Sequence, residues 1–253
     1  MTSGAQSAVI YVLFMDNREQ IDEERYDIWM QRSLDLGATW LPAPVKVNHG
    51  DASNVWAPDL YCNETGVFVV WEDDRDGELQ NHQVYFNAST DQGETFLEDD
   101  VLLEDDPEGD TMSLGPKIDG YGTSLFVTWY DNTNNAYDIL VNKSSNGGGE
   151  WDNKPTRIDS DIQGTAYSAR PQLAVGNSGN DVWVTWEDSR DGKADIYLAT
   201  APTAAPPSSR TSASTRATPT ARTTPSSPRS APRATTSTSC GTTRATARAA
   251  TST

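Results

Sequence analysis

One eight-residue turn, written three times at near-constant spacing, constrains this chain more than anything else in it. It reads Ser33-Leu34-Asp35-Leu36-Gly37-Ala38-Thr39-Trp40, then Ser89-Thr90-Asp91-Gln92-Gly93-Glu94-Thr95-Phe96, then Ser144-Ser145-Asn146-Gly147-Gly148-Gly149-Glu150-Trp151, with its Ser residues 56 and 55 positions apart. Two other landmarks keep the same period. Trp71, Trp129 and Trp186 are each followed two positions later by an Asp (Asp73, Asp131, Asp188), and Met15-Asp16 is a degraded first copy. Ala57-Pro58-Asp59-Leu60 returns as Gly115-Pro116-Lys117-Ile118 and as Arg170-Pro171-Gln172-Leu173. Such a period marks a repeat architecture, whose units bury their apolar faces on one another.

Between the landmarks the chain alternates short apolar runs with Gly- and Asp-rich turns, and no helical period is present. Residues 8–14 and 26–31 make a hairpin whose sheet lacks its first strand. The next unit predicts strands at 58–61, 67–71, 83–88 and 96–103, and the one after it at 116–118, 125–129, 138–142 and 151–158. A last unit begins at Pro171 and continues through 182–186 and 195–198. Four-stranded antiparallel units of this length predict an all-β chain built as the blades of a β-propeller.

In a turn this tight, the side chain of Asp35 or Asp91 accepts backbone N–H groups that follow it. Gly37, Gly93 and Gly148 supply a positive φ that other residues adopt at a cost. Trp40, Phe96 and Trp151 then fold back as apolar plugs between neighbouring sheets. Because every unit carries the set, Ser33, Ser89, Ser144 and Asn146 included, these residues are expected to serve architecture rather than catalysis.

Charge divides the chain in two. Residues 1–200 hold all 37 acidic and 12 of the 19 basic residues, a balance of −25, together with all eight Trp. From Ala201 onward there is only Ala, Pro, Thr, Ser and Arg apart from Cys240 and Gly241, so residues 201–253 carry +7 and nothing able to form a core. The acidic part would be repelled by nucleic acid or an anionic membrane. No apolar stretch is long enough to cross a bilayer. Two Cys, Cys62 and Cys240, define no disulfide framework. Residues 1–7 lack the basic and apolar regions of a signal peptide, and a leader would belong upstream of them.

The tail becomes intelligible one base out of frame. Residues 200–208 then permit S-T-D-G-G-A-T-F, another copy of the turn. Residues 233–253 permit G-N-D-V-Y-V-V-W-D-D-A-R-D-G-A-G-G-D-I-Y, which mirrors Gly179 to Gly192 and runs on to the analogue of Asp195-Ile196-Tyr197. The tail is therefore expected to be an out-of-frame translation of further repeats and to be disordered; a Ser/Thr/Pro-rich linker or stalk is the alternative.

Loops after the second strands should converge on the face opposite the turns, which brings together Asp73, Arg75, Asp76, Asp131, Asp188, Arg190 and Asp191. They form either an acidic rim for a cation, a sugar or a basic peptide, or turns held by local Asp and Arg hydrogen bonds. Glu72-x-Asp74-x-Asp76-Gly77 has Gln83 where an EF-hand requires Glu, so that motif is excluded. A looser Ca²⁺ site in this loop or along 104–110 stays open; otherwise no metal or cofactor is expected. His49 and His82 do not make a zinc site and are expected to be solvated loop or strand-edge residues.

The S-x-D-x-G-x-[TS]-[FW] turn is the Asp-box, or BNR repeat. Through it residues 8–200 resemble the sialidase (neuraminidase) superfamily of β-propellers and, more broadly, extracellular Asp-box proteins. The resemblance implies a sialidase-like propeller, incomplete at about three and a half blades, secretion, and boxes on the face away from any active site. Sialidases of this superfamily clamp a substrate carboxylate with three Arg and use a Tyr nucleophile assisted by Glu, with an Asp as acid/base. Their Arg-Ile-Pro motif is not present: Arg157-Ile158-Asp159 and Arg170-Pro171 are partial echoes, so no catalytic residue is carried over. The expected function is a non-catalytic extracellular module that binds a glycan or a protein. The alternative is an exo-α-sialidase or related glycoside hydrolase whose catalytic blades are missing or frame-shifted.

Overall fold

The computed structural model describes residues 9–19, 25–50, 54–75, 81–104 and 111–201, with the backbone of Thr236–Cys240. All regular elements among them are strands, grouped into four antiparallel sheets. Sheet I contains β1 (Val9–Asp16), β2 (Asp27–Ser33) and β3 (Val45–Lys46). Sheet II contains β4 (Val55–Asn63), β5 (Gly66–Asp73), β6 (Gln83–Ser89) and β7 (Val101–Leu102). Sheet III contains β8 (Ser113–Tyr121), β9 (Ser124–Asp131), β10 (Asp138–Ser144) and β11 (Thr156–Arg157). Sheet IV contains β12 (Ser168–Val175), β13 (Val182–Asp188) and β14 (Asp195–Thr200). A strand from the tail, β15 (Thr236–Cys240), pairs with the free edge of β1, the place that β4, β8 and β12 occupy in their sheets. The rest of the tail lies outside the described residues.

Within each sheet consecutive strands are neighbours, and β4, β8 and β12 stand side by side along one axis. This is a β-propeller. The axial strands begin earlier than the sequence suggested because each absorbs its proline in a bulge. The ladder skips between Trp56 and Asp59, Leu114 and Lys117, and Ala169 and Gln172, and the residue before each proline, Ala57, Gly115 or Arg170, has a positive φ. Proline has no N–H for the ladder, so an extra unpaired residue there costs no hydrogen bond. The outermost strands shrink to two residues each.

The aromatic position of the first repeat is Phe14 rather than Met15. Phe14 faces Trp29 across β1 and β2, as Trp71 faces Tyr85 and Trp186 faces Tyr197.

Cores form between sheets, not within them. Tyr11, Leu13, Ile28 and Met30 of sheet I meet Val67, Val69 and Trp71 of sheet II. Phe68, Val70 and Phe86 of sheet II meet Leu125, Val127 and Trp129 of sheet III. Phe126, Ile139 and Val141 of sheet III meet Val182, Val184 and Trp186 of sheet IV. Along a strand, alternate side chains serve opposite interfaces, which is why β5 is buried along its whole length.

The repeated turn fastens these interfaces at one end. Ser89 Oγ donates to Asp91 Oδ1 at 2.7 Å and accepts the Gly93 N–H at 2.8 Å. Asp91 Oδ1 accepts the Glu94 and Thr95 N–H groups at 2.9 Å, and its Oδ2 takes the Thr95 hydroxyl at 2.6 Å. Ser33 and Asp35 repeat the arrangement with Gly37 and Thr39, and Ser144 and Asn146 with Gly148 and Glu150. Gly93 and Gly148 also have positive φ, and a Cβ on them would overlap Met30 and Phe86 of the preceding sheet. Phe96 packs into the first interface, and Trp151 meets Phe86 edge-on at 5.0 Å in the second.

Asp91→Ala, measured by thermal unfolding, is expected to destabilise the protein by about 1 kcal/mol or more, while Asp91→Asn, the choice sheet III makes at Asn146, costs less. Burial raises the Asp91 pKa, but the Thr95, Ser89 and Glu94 donors outweigh it and hold the carboxyl well below its usual range. Its contribution is thus present above the ordinary carboxylate pKa and is lost as pH falls, so the Asp91→Ala deficit shrinks below about pH 4.

Candidate functional site

At the opposite end, the loops after the second strands repeat a second hydrogen-bonded unit. Asp73 is 1% exposed; it accepts the Trp71 Nε1–H at 3.0 Å and the Arg75 N–H at 2.9 Å, and it pairs with the Arg75 guanidinium. Asp188 is fully buried and accepts Trp186 Nε1–H at 3.0 Å, Arg190 N–H at 2.8 Å and the Ser168 hydroxyl at 3.0 Å, again with the guanidinium beside it. Both guanidinium groups stack 4.2 Å from the ring centres of Tyr85 and Tyr197. Asp16 and Arg18 do the same in sheet I over Trp29 at 4.9 Å. Asp131 has no such arginine and takes the Ser113 hydroxyl and the Thr133 N–H, both at 2.9 Å. Burial raises Asp188, but Arg190, Trp186 and Ser168 outweigh it and bring the carboxyl down to about 2. Asp191 accepts the Tyr197 hydroxyl at 2.9 Å, and Asp76 lies outside the described residues. The described carboxylates of this set are engaged inside their own sheets.

Nearer the axis, the same end gathers residues that do not repeat. Trp56 and His82 stack with ring centres 4.3 Å apart and planes 15° from parallel. His82 Nδ1 is 3.3 Å from Glu72 Oε2, while Glu72 Oε1 accepts the Gly115 N–H at 2.6 Å across the junction of sheets II and III. His82 immediately precedes β6, at a strand edge, one of the two positions expected from sequence, and its side chain is only 14% exposed rather than solvated. Gly115 lies against the Tyr130 ring so closely that a Cβ would sit 2.8 Å from it. Tyr130, Tyr137 and Tyr167 then continue edge-to-face, with centres 5.2 and 5.1 Å apart. Burial pushes the Tyr130 phenol up to about 12, with Glu72 adding to the effect and Arg170 opposing it. Arg170 pairs with Glu187 and is 69% exposed. A buried carboxylate, a stacked indole and imidazole, three phenols and an exposed guanidinium can hold a ring-shaped polar ligand by stacking and by hydrogen bonds.

A third group lies at the outer rim of sheet III. Ligand atoms of Asp138, Asp159 and Asp161 fall within 4.8 Å of one another. Arg157 sits among them, 3.1 Å from Asp138 and 2.8 Å from Asp159, with a further contact to Asp161. Burial raises Asp159 well above the usual carboxylate range; the Asp161 carboxyl adds to this and Arg157 opposes it. Asp159 Oδ1 also accepts the Ile139 N–H at 3.2 Å, the role Asn48 fills for Ile28 at 2.7 Å in sheet I. Of the calcium loops raised from sequence, 76–80 and 105–110 fall outside the described residues.

A carboxyl with a raised folded pKa stabilises below its unfolded value and loses that contribution as pH rises through the folded one. Asp159→Asn, which copies the amide of Asn48 into sheet III, is therefore expected to raise the melting temperature more at about pH 8 than at about pH 5. Equal gains at both would contradict the assignment.

No protein-family model matches the sequence, and comparison with curated proteins gives no match. Solved structures do match. The GH93 α-L-arabinofuranosidase of Fusarium graminearum with arabinobiose aligns with TM-score 0.52 and 17% identity, over 75% of this chain and 58% of that one. A second α-L-arabinofuranosidase structure from Fusarium graminearum, with an iminosugar inhibitor, gives 0.51 and 15% identity over 81% and 62%. The NanB sialidase of Streptococcus pneumoniae gives 0.49 and 8% identity over 78% and 48%. This chain thus spans 58% of the length of the first of these enzymes. At such identities the likeness is one of architecture: the chain has the β-propeller fold of the two arabinofuranosidase structures.

Proposed function

We propose that the chain is a glycoside-hydrolase-like propeller that binds carbohydrate at the axial cluster of Trp56, Glu72, His82, Tyr130 and Tyr167, and acts outside the cell as a binding or scaffold module. The observation that carries the reading is the contrast between the two sets at this end. Asp73, Arg75, Asp188 and Arg190 recur and hold their own loops, whereas among the described residues the stacked Trp56–His82 pair and the three tyrosines occur once, around one buried carboxylate. A structural need is met in every repeat, while a ligand needs one site. Aromatic faces suit the apolar faces of sugar rings, and Glu72 and Arg170 suit hydroxyl and acidic groups.

The second reading is a glycoside hydrolase of the exo-α-sialidase type. It is favoured by the company Tyr130 keeps, between the fields of Glu72 and Arg170. With its pKa raised, Tyr130 is a neutral phenol, so a nucleophilic role requires Glu72 to take its proton.

A glycan array followed by titration of the best binder, alongside fluorogenic sialoside and arabinofuranoside substrates, separates the two. Binding without turnover, weakened about five- to tenfold by Trp56→Ala, is the expected result. Turnover abolished by Tyr130→Phe favours the hydrolase, and affinity unchanged in Trp56→Ala removes the cluster from the account.

A further inference from the structure

Among the described residues, the faces of sheets II and III that look toward the following sheet are covered, but the matching face of sheet IV is open. Register equates Phe68, Val70, Val84 and Phe86 of sheet II with Trp183, Thr185, Ile196 and Leu198 of sheet IV. The first four are at most 1% exposed, whereas Trp183 is 39% and Ile196 48% exposed. Glu72 reaches the next axial strand at Gly115, whereas Glu187, its counterpart, turns to Arg170. The apolar surface is therefore built as half of an interface.

We infer that this face docks one more sheet of the same repeat, carried by the coding segment for residues 200–253 in its other reading frame. Three observations converge. First, Ala201, which follows the end of β14 at Thr200 and donates its N–H to Val182, stands at the register position of Ser33, Ser89 and Ser144, the first residue of the box. Thr200 lies 56 residues after Ser144, and the shifted frame places the Ser of S-T-D-G-G-A-T-F at this junction. Second, sheet IV has three strands among the described residues where sheets II and III have four, and a box at that point leads into the fourth. Third, the shifted run V-Y-V-V-W puts its first and second Val and its Trp in the alternation of Val182, Val184 and Trp186, which cover the face of sheet III. The same alternation would lay that Val-Val-Trp stripe over Trp183 and Ile196. The composition of the tail follows as well. Asp codons GAC and Gly codons GGC, read one base later, begin AC and GC and become Thr and Ala codons, so no acidic residue follows position 200 while the repeat runs on in the other frame.

The inference does not depend on the carbohydrate reading, and it is tested on the gene and the protein together. Sequencing the coding DNA should show that a single-base shift near codon 200 opens a frame with the box and the V-Y-V-V-W run. The frame-restored chain and the chain as written are then compared by hydroxyl-radical footprinting with light scattering. Trp183 and Ile196 should label readily in the chain as written, which should be monomeric. In the restored chain their labelling should fall to the level of Trp129. If no single-base shift restores the repeat, or if Trp183 labels equally in both chains, the inference is overturned. A dimer of the chain as written with Trp183 shielded overturns it too, making a second copy the occupant. Should the restored chain not fold, Trp183→Ser in the chain as written serves instead. Its melting temperature should be unchanged, and a loss of several degrees would mean that the face is already covered.

Discussion

A short antiparallel sheet that is apolar on both faces has no stable existence alone, and the architecture of this protein follows from that constraint. Each of Trp71, Trp129 and Trp186 is at most 1% exposed because the preceding sheet lies over it. The stripe of Phe68 and Val70 is buried only because the following sheet does the same. Polar contacts reinforce the stacking along the axis: Asp59 accepts the Ile118 N–H at 3.1 Å, and Asp119 accepts the Val175 N–H at 2.8 Å, each reaching from one axial strand to the next. Stability is then a sum of interfaces between neighbours, in which no sheet supplies its own core.

The same logic separates the residues the frame uses from those it leaves free. Two hydrogen-bonded units recur, the box of sheets I, II and III at one end and the Asp–Arg loop of sheets I, II and IV at the other. Both use a carboxylate to gather nearby donors, and both leave that carboxylate occupied. Evolution of a binding site on such a frame has to draw on positions that the frame leaves free. Position 72 illustrates this: Glu72, Tyr130 and Glu187 occupy equivalent places beside a repeated Trp, yet each has a different partner, namely Gly115 and His82, the neighbouring tyrosines, and Arg170.

What the sequence disclosed depended on distance along the chain. The box and the Asp–Arg loop complete their hydrogen bonds within four residues or so, so their spacing alone exposes them, and their repetition exposes the fold. Phe14, two positions before Asp16 as each repeated Trp is before its Asp, was legible from that spacing, and its pairing with Trp29 agrees. The axial cluster was not legible. Trp56 and His82 are 26 positions apart and meet only because two hairpins fold back on each other, while Tyr130, Tyr137 and Tyr167 are assembled across sheets III and IV with no period to betray them. A non-repeated aromatic next to an axial bulge is the signal that would have pointed there.

Native-state hydrogen exchange, resolved strand by strand, tests most directly whether neighbouring sheets confer stability on one another. Amides of β5 and β9, whose sheets are covered on both faces, should exchange through the slowest, most global opening, and those of β13 and β14 in the half-covered sheet IV through a markedly faster local one. Protection of β13 equal to that of β9 would contradict the account, because sheet IV would then be stable without the neighbour on which every other sheet relies.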